Sequence, residues 1–194
     1  MRQLAAALLL SIPFLAHGQQ AGKDYAVIHP PLLLHESSKV ELIEFFYYGC
    51  PECFDLEPFL NEWLQGRKDV RIIRIPAFRS SWLPLARTYY ALSMLGLEQG
   101  LRERIFQAMH DGIDLNDENV LFSWIGGQGI DTEKFESAYR SRAVRNSIME
   151  SEDLARRLGI NGVPSLVVDG KFLVLGNLSD GNLLDELVDK AKRK

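Results

Sequence analysis

Glu44-Phe45-Phe46-Tyr47-Tyr48-Gly49-Cys50-Pro51-Glu52-Cys53 runs from the end of one structural element into the start of another. Upstream, Val40 to Tyr48 is a nearly continuous apolar and aromatic run, the pattern of a central strand buried on both faces. Gly49 ends it. Cys50 then stands at the start of a helix, with Pro51 at the first helical position, where a missing N–H leaves no bond unmade. Downstream, Phe54, Leu56, Phe59, Leu60, Trp63 and Leu64 form an apolar stripe at helical spacing. Pro58 predicts a kink in this helix and Gly66 its end.

Cys50 and Cys53 are the only two cysteines of the chain. A structural disulfide gains most by closing a long loop, and a Cys-x-x-Cys bridge closes almost none. Zinc needs about four ligands. There is no second cysteine pair, and His29, His35 and His110 are scattered, the first two flanking a proline-rich stretch as expected of surface loops. No metal and no cofactor is expected, and redox chemistry at the pair remains.

The first eighteen residues carry the pattern of an export signal. Arg2 is a positive start, Leu4 to Leu15 is an apolar stretch, and Ala16-His17-Gly18 puts small residues where a signal peptidase reads them. Cleavage after Gly18 would take the formal net charge from −4 to −5 by removing Arg2. With no cysteine before Cys50, a lipid-anchored product is excluded. The pattern predicts export, and an oxidising compartment is one in which a disulfide persists.

The remaining chain has the length and balance of one globular domain with an insertion. It has 194 residues, 46% hydrophobic and 25% charged. No basic stripe is present, which argues against a nucleic-acid partner. Lys190, Lys192, Arg193 and Lys194 read as a solvated helix end that suits the helix dipole. Tyr25 to Ile28 is a short edge strand ahead of Pro30 and Pro31, and Val70 to Ile75 is the strand after the Cys-x-x-Cys helix. From about Trp82 to Leu158 the pattern is helical, with breaks near Gly96, near Gly112 and at Gly126-Gly127, and with Asp131 as an N-cap. Gly159 closes the last of these helices. Ser165–Val168 and Phe172–Leu175, joined by Asp169-Gly170-Lys171, read as a hairpin. A final amphipathic helix starts near Asn182. The expected organisation is a signal peptide over 1–18, an α/β domain over 24–76 and 159–194, and a helical insertion over 77–158.

In this order the features resemble the DsbA family of periplasmic thiol:disulfide oxidoreductases, of the thioredoxin superfamily, over roughly Asp24 to Lys194. Glu44 to Cys53 looks like the family's active-site strand and helix start. The helical insertion falls where the family has one. Gly162-Val163-Pro164 before a short strand looks like the loop whose cis proline faces the active site, and Asp169-Gly170-Lys171-Phe172 like the following hairpin. The resemblance implies a thioredoxin-like fold with an inserted helical domain. It implies a disulfide exchanged with cysteine pairs of exported proteins, and reoxidation by a membrane, quinone-linked partner of the DsbB kind. Cys50 is then the attacking cysteine and Cys53 the resolving one. By the same resemblance Val163-Pro164 is cis and pairs with extended substrate; spacing alone leaves a trans proline at a strand edge open.

The chemistry suits these positions. Only the thiolate attacks, and a helix N-terminus offers unpaired N–H groups and partial positive charge to Cys50. Glu44 is costly in a buried strand unless protonated or paired. The family's acid at this place relays a proton to Cys53, with Arg74 standing about where the family often has a lysine; a position at the sheet margin with access to water is the alternative. Glu52 departs from the family, which usually has histidine there. At about 6 Å and an effective dielectric of about 20, its repulsion of a Cys50 thiolate is roughly 3 kcal/mol, against about 0.3–2 kcal/mol from the helix end. Glu52 is also a favourable acid in a helix's first turn. Three functions follow: a dithiol oxidase, a reductase or client-specific oxidoreductase, and a peptide-binding or chaperone module with incidental cysteines.

Overall fold

The computed structural model describes residues 19–32, 38–77 and 79–193; the expected signal peptide and His35 lie outside them. A five-stranded sheet carries the site, in the order β1-β5-β4-β2-β3. Its strands are β1 (Tyr25–Val27), β2 (Val40–Phe46), β3 (Val70–Pro76), β4 (Ser165–Val168) and β5 (Phe172–Val174). The helices are α1 (Pro51–Leu64), α2 (Leu83–Met94), α3 (Glu98–His110), α4 (Glu118–Gly127), α5 (Thr132–Tyr139), α6 (Arg142–Arg157) and α7 (Gly181–Lys192).

β2 is buried at every residue because it is paired on both sides, parallel to β3 and antiparallel to β4. Strand alternation sends its side chains to two cores. Val40 and Leu42 pack with Leu56 and Leu60 of α1 and Leu183, Leu184 and Leu187 of α7. Ile43 and Phe45 pack on the opposite face with Val167 and Leu158. Glu44 therefore shares the α1 side with Leu42, in a place otherwise filled by hydrocarbon.

Between β3 and β4 the chain is helical, as the resemblance implies. α2 to α6 enclose a third core of Leu85, Leu92, Ile105, Phe106, Leu121, Phe135 and Tyr139, and Phe46, Tyr48 and Cys53 belong to it. Two details differ from the sequence expectation. Gly126 and Gly127 end inside α4, and the left-handed turn comes at Gly129 (φ 76°). A further break separates α5 from α6, where the Ser141 side chain caps the Val144 N–H. A serine cap inside a polar stretch has no glycine to advertise it.

The β4–β5 hairpin turns through Asp169 (φ 54°) and Gly170 (φ 60°), two left-handed residues in succession. A β-carbon on Gly170 would collide with the Leu32 carbonyl, 1.7 Å away, so the loop after β1 closes over this turn only because residue 170 is glycine. Among the described residues no helix is long and apolar enough to cross a membrane.

Candidate functional site

Cys50 is the N-cap of α1. Its backbone is extended (φ −93°, ψ 116°), and its sulfur accepts from the Cys53 N–H at 3.3 Å. This is the bond a Ser or Asp cap makes, with sulfur in place of oxygen. Pro51 holds the first helical position and α1 runs continuously through Pro58 to Leu64. Gly49 is small for a steric reason. A β-carbon there would stand 2.6 Å from the Tyr47 ring and 2.9 Å from the Met109 methyl. The Tyr47 ring stacks on Trp82 at 4.3 Å and its hydroxyl accepts from Asn116, so the turn before Cys50 is clamped to the helical insertion.

Both cysteines are free thiols, Cys50 8% exposed and Cys53 fully buried. The Cys53 thiol, hydrogen-bonded to the Cys50 sulfur, lowers the Cys50 pKa. Burial works against this, the Cys53 N–H assists it, and Glu52 opposes it. The same thiol–thiol contact, then burial, push Cys53 well above the ordinary thiol range, and the charge of Glu44 adds to the rise. The pair is thus split into an ionisable outer thiol and an inner one that keeps its proton.

Besides the Cys53 thiol, two further groups face the Cys50 sulfur among the described residues. The Val163 carbonyl lies 3.7 Å away, on the loop before β4. The Val163-Pro164 peptide is cis, as the resemblance implies. Glu52 Oε2 lies 3.5 Å away and accepts from the thiol. Glu52 is nearer than the sequence predicts, but it is exposed, so water screens much of its charge.

A buried charge cluster lies close enough to the pair for the Glu44 charge to act on Cys53, and Glu44 is at its centre with no exposed surface. That burial removes the sheet-margin alternative. Arg74 Nε, paired across the β2–β3 ladder, donates to Glu44 Oε2 at 3.0 Å. Arg102 Nη2, from α3, donates to both Glu44 oxygens at 3.2 and 3.3 Å. Arg102 also bonds Glu57 of α1, with Nε 2.9 Å from Oε2, and reaches Glu98 Oε1 at 3.5 Å. Its guanidinium lies 4.0 Å from the Phe46 ring centre. Three carboxylates share two guanidinium groups, so the deepest acid is the natural place for a proton. Burial pushes the Glu44 carboxyl up to about 7; Arg102 restrains it, Glu57 raises it and Arg74 restrains it again. Sequence reasoning missed Arg102 and Glu57, because each looks like an exposed polar position on an amphipathic helix. His110 is exposed, and its ring packs 4.3 Å from Phe54, next to Cys53 in sequence.

Comparison with known proteins agrees with this geometry. A family model described as a DSBA-like thioredoxin domain matches residues 74–188. The Thiol:disulfide interchange protein DsbA of Burkholderia cepacia is 35% identical over 188 residues, covering 89% of this chain and 86% of the relative. The protein of the same name from Bordetella parapertussis is 32% identical, over 99% of this chain and 97% of its own. Among solved structures, Pseudomonas aeruginosa DsbA superposes with a TM-score of 0.81 at 30% identity, covering 89% of this chain and 94% of that one. The chain belongs to the DSBA-like thioredoxin domain family.

Proposed function

We propose that the chain is a thiol:disulfide oxidoreductase that acts as a dithiol oxidase on cysteine pairs of exported proteins in the periplasm. The observation that carries it is the Cys50 sulfur, set as the N-cap of α1 with the Cys53 N–H at 3.3 Å and the Val163 backbone carbonyl at 3.7 Å. An N-cap sulfur is stabilised as thiolate by the helix end. Stabilising the reduced form makes the disulfide a better oxidant. The DsbA relatives favour this direction over reduction and over a peptide-binding module with idle cysteines.

In the forward reaction a client thiolate attacks the Cys50 sulfur of the Cys50–Cys53 disulfide. The Cys50–Cys53 bond breaks, and Cys53 leaves as a thiolate that takes up a proton. The client's second thiolate then attacks the client sulfur of the mixed disulfide. Cys50 leaves as a thiolate, the client is oxidised by two electrons and the enzyme is reduced by two. Glu44 serves as the proton relay for Cys53, with Arg74 as its partner. Pro51 and Glu52 tune Cys50, and Val163 and Pro164 present backbone to the extended client, which pairs in β fashion. The α/β part over 24–76 and 159–194 carries the chemistry, and the insertion over 77–158 covers it. A quinone-linked membrane partner of the DsbB kind returns the enzyme to the disulfide.

The test is stoichiometric oxidation of a synthetic peptide dithiol by the oxidised protein. One peptide disulfide per protein is expected, with none from Cys50→Ala. Persistence of activity in the doubly substituted Cys50→Ala, Cys53→Ala protein would overturn the proposal.

A further inference from the structure

Arg102 belongs to the helical insertion, yet its charge ends at Glu44, the acid whose charge acts on Cys53. It is buried, at 5% exposure, and it bridges Glu44 of β2, Glu57 of α1 and Glu98 of its own helix. Such a residue has two structural alternatives. A guanidinium that merely ties α3 to α1 would be served by Glu57 alone, with which it makes two bonds. One that merely neutralises Glu44 would be redundant, because Arg74 already pairs with it at 3.0 Å. The geometry departs from both, since one Nη2 is shared between the two Glu44 oxygens and Glu57.

We infer that Arg102 is a positioning residue for the Cys53 proton relay: it orients the Glu44 carboxylate from the insertion side and sets the pH at which that carboxylate accepts the Cys53 proton. The inference rests on the oxidoreductase reading given above. The groups facing Glu44 are Arg74 from β3, Glu57 from α1 and Arg102 from α3; Glu98 reaches Arg102, the Tyr48 ring centre lies 5.8 Å from the Arg102 guanidinium, and the Tyr89 hydroxyl donates to the Arg74 carbonyl. Arg74 is 17% exposed at its side chain and partly committed to Asn61, whereas the Arg102 side chain is 6% exposed. An opposite charge acts more strongly where water is excluded. Arg102 is therefore the stronger of the two holds on Glu44. Glu98 competes for it from the outer end, at 3.5 Å.

The step that reads this out can be isolated. Oxidised glutathione reacts with the Cys50 thiolate of the reduced protein, leaving a Cys50–glutathione disulfide and one free glutathione. The Cys53 thiol then loses its proton to Glu44 and attacks the Cys50 sulfur. The Cys50–glutathione bond breaks, the second glutathione leaves as thiolate, and the protein disulfide is complete. Electrons balance: the protein dithiol is oxidised by two and glutathione disulfide is reduced by two.

The experiment measures the rate of that second release from pH 5 to 9, by rapid acid quench and mass spectrometry, in parallel with the Cys50 thiolate titration. Arg102→Met should move the pH midpoint of the second release upward by at least about one unit, the usual effect of an arginine lost beside a carboxylate. Arg102→Lys should restore at least half of the shift. Glu98→Gln, which frees Arg102 toward Glu44 and disturbs only a partly exposed acid, should move the midpoint downward. It keeps the inference testable if Arg102→Met does not fold. A midpoint unchanged in both Arg102→Met and Glu98→Gln overturns the inference, and so does a Glu98→Gln shift upward. Loss of peptide-dithiol oxidation by the unaltered protein would instead sink the oxidoreductase reading.

Discussion

Replacing Glu52 should make this protein a stronger oxidant, and the structure supplies the distance. Glu52 Oε2 stands 3.5 Å from the Cys50 sulfur. At that separation two unit charges repel by about 1.2 kcal/mol at the dielectric of water and by about 4.7 kcal/mol at an effective dielectric of about 20. Glu52 is exposed, so the lower figure governs. The oxidised state carries no charge on Cys50, and the whole gain falls on the reduced state. For a two-electron couple, about 1.2 kcal/mol corresponds to roughly 25 mV toward more oxidising potential. The sign depends on pH. Above the Cys50 pKa the reduced protein holds a thiolate and Glu52→Gln gains the full amount. Below it the thiol donates to Glu52, a bond the substitution weakens, so the gain disappears. Glu52→His should match Gln above the imidazole pKa and exceed it below, where a cation replaces the anion. The assay is equilibration with glutathione at a series of pH values, with thiolate absorbance to follow Cys50. A Cys50 titration that stays in place, or moves to higher pH in Glu52→Gln, would refute the argument, because it would mean that the carboxylate does not act on the sulfur.

Iodoacetamide should label Cys50 of the native reduced protein well before Cys53, because Cys53 is fully buried and keeps its proton; faster labelling at Cys53, read by peptide mass, would reverse the assigned roles. Pro164→Thr should lengthen the life of mixed disulfides with clients, since it alters the loop that holds the Val163 carbonyl 3.7 Å from Cys50; unchanged trapping on gels would count against that loop as the client's docking edge. Glu44→Gln should gain stability on the parent as pH rises. With its carboxyl raised from 4.5 to about 7 in the fold, the parent's contribution from protonated Glu44 is fully present below pH 4.5 and is lost through about 7. This is worth about 3 kcal/mol, and urea midpoints at pH 4 and pH 8 that differ equally for both proteins would contradict it. Gly49→Ala should cost roughly 1–3 kcal/mol by overpacking, because its β-carbon meets the Tyr47 ring at 2.6 Å; thermal melts that coincide with the parent's would show that the clamp on Trp82 yields freely.

Local pattern carried the backbone of this protein. A continuous apolar run specifies a doubly covered strand, and β2 is buried at all seven residues. Proline after Cys50 marks the first position of α1, Asp169-Gly170 marks the hairpin, and glycines at 66, 96, 112 and 159 take left-handed turns at or near helix ends. These signals are local because they act through one residue's own φ, N–H or side chain, and so they are legible in a string of letters. The Cys-x-x-Cys spacing is of the same kind, since four residues at a helix start place both sulfurs without help from the rest of the chain. The environment of those sulfurs is different. Glu44, Glu57 and Arg102 lie up to fifty-eight positions apart in sequence. They meet only because α3 folds back over the edge between β2 and α1. Arg102 on α3 has the look of an ordinary exposed cation, and nothing in its neighbours marks it as buried. Charges act through space with a strength set by excluded water, and water is excluded only once the insertion closes on the sheet. The positions of the thiols were therefore determined by sequence, and which of the surrounding acids and bases govern their protons was decided by tertiary structure.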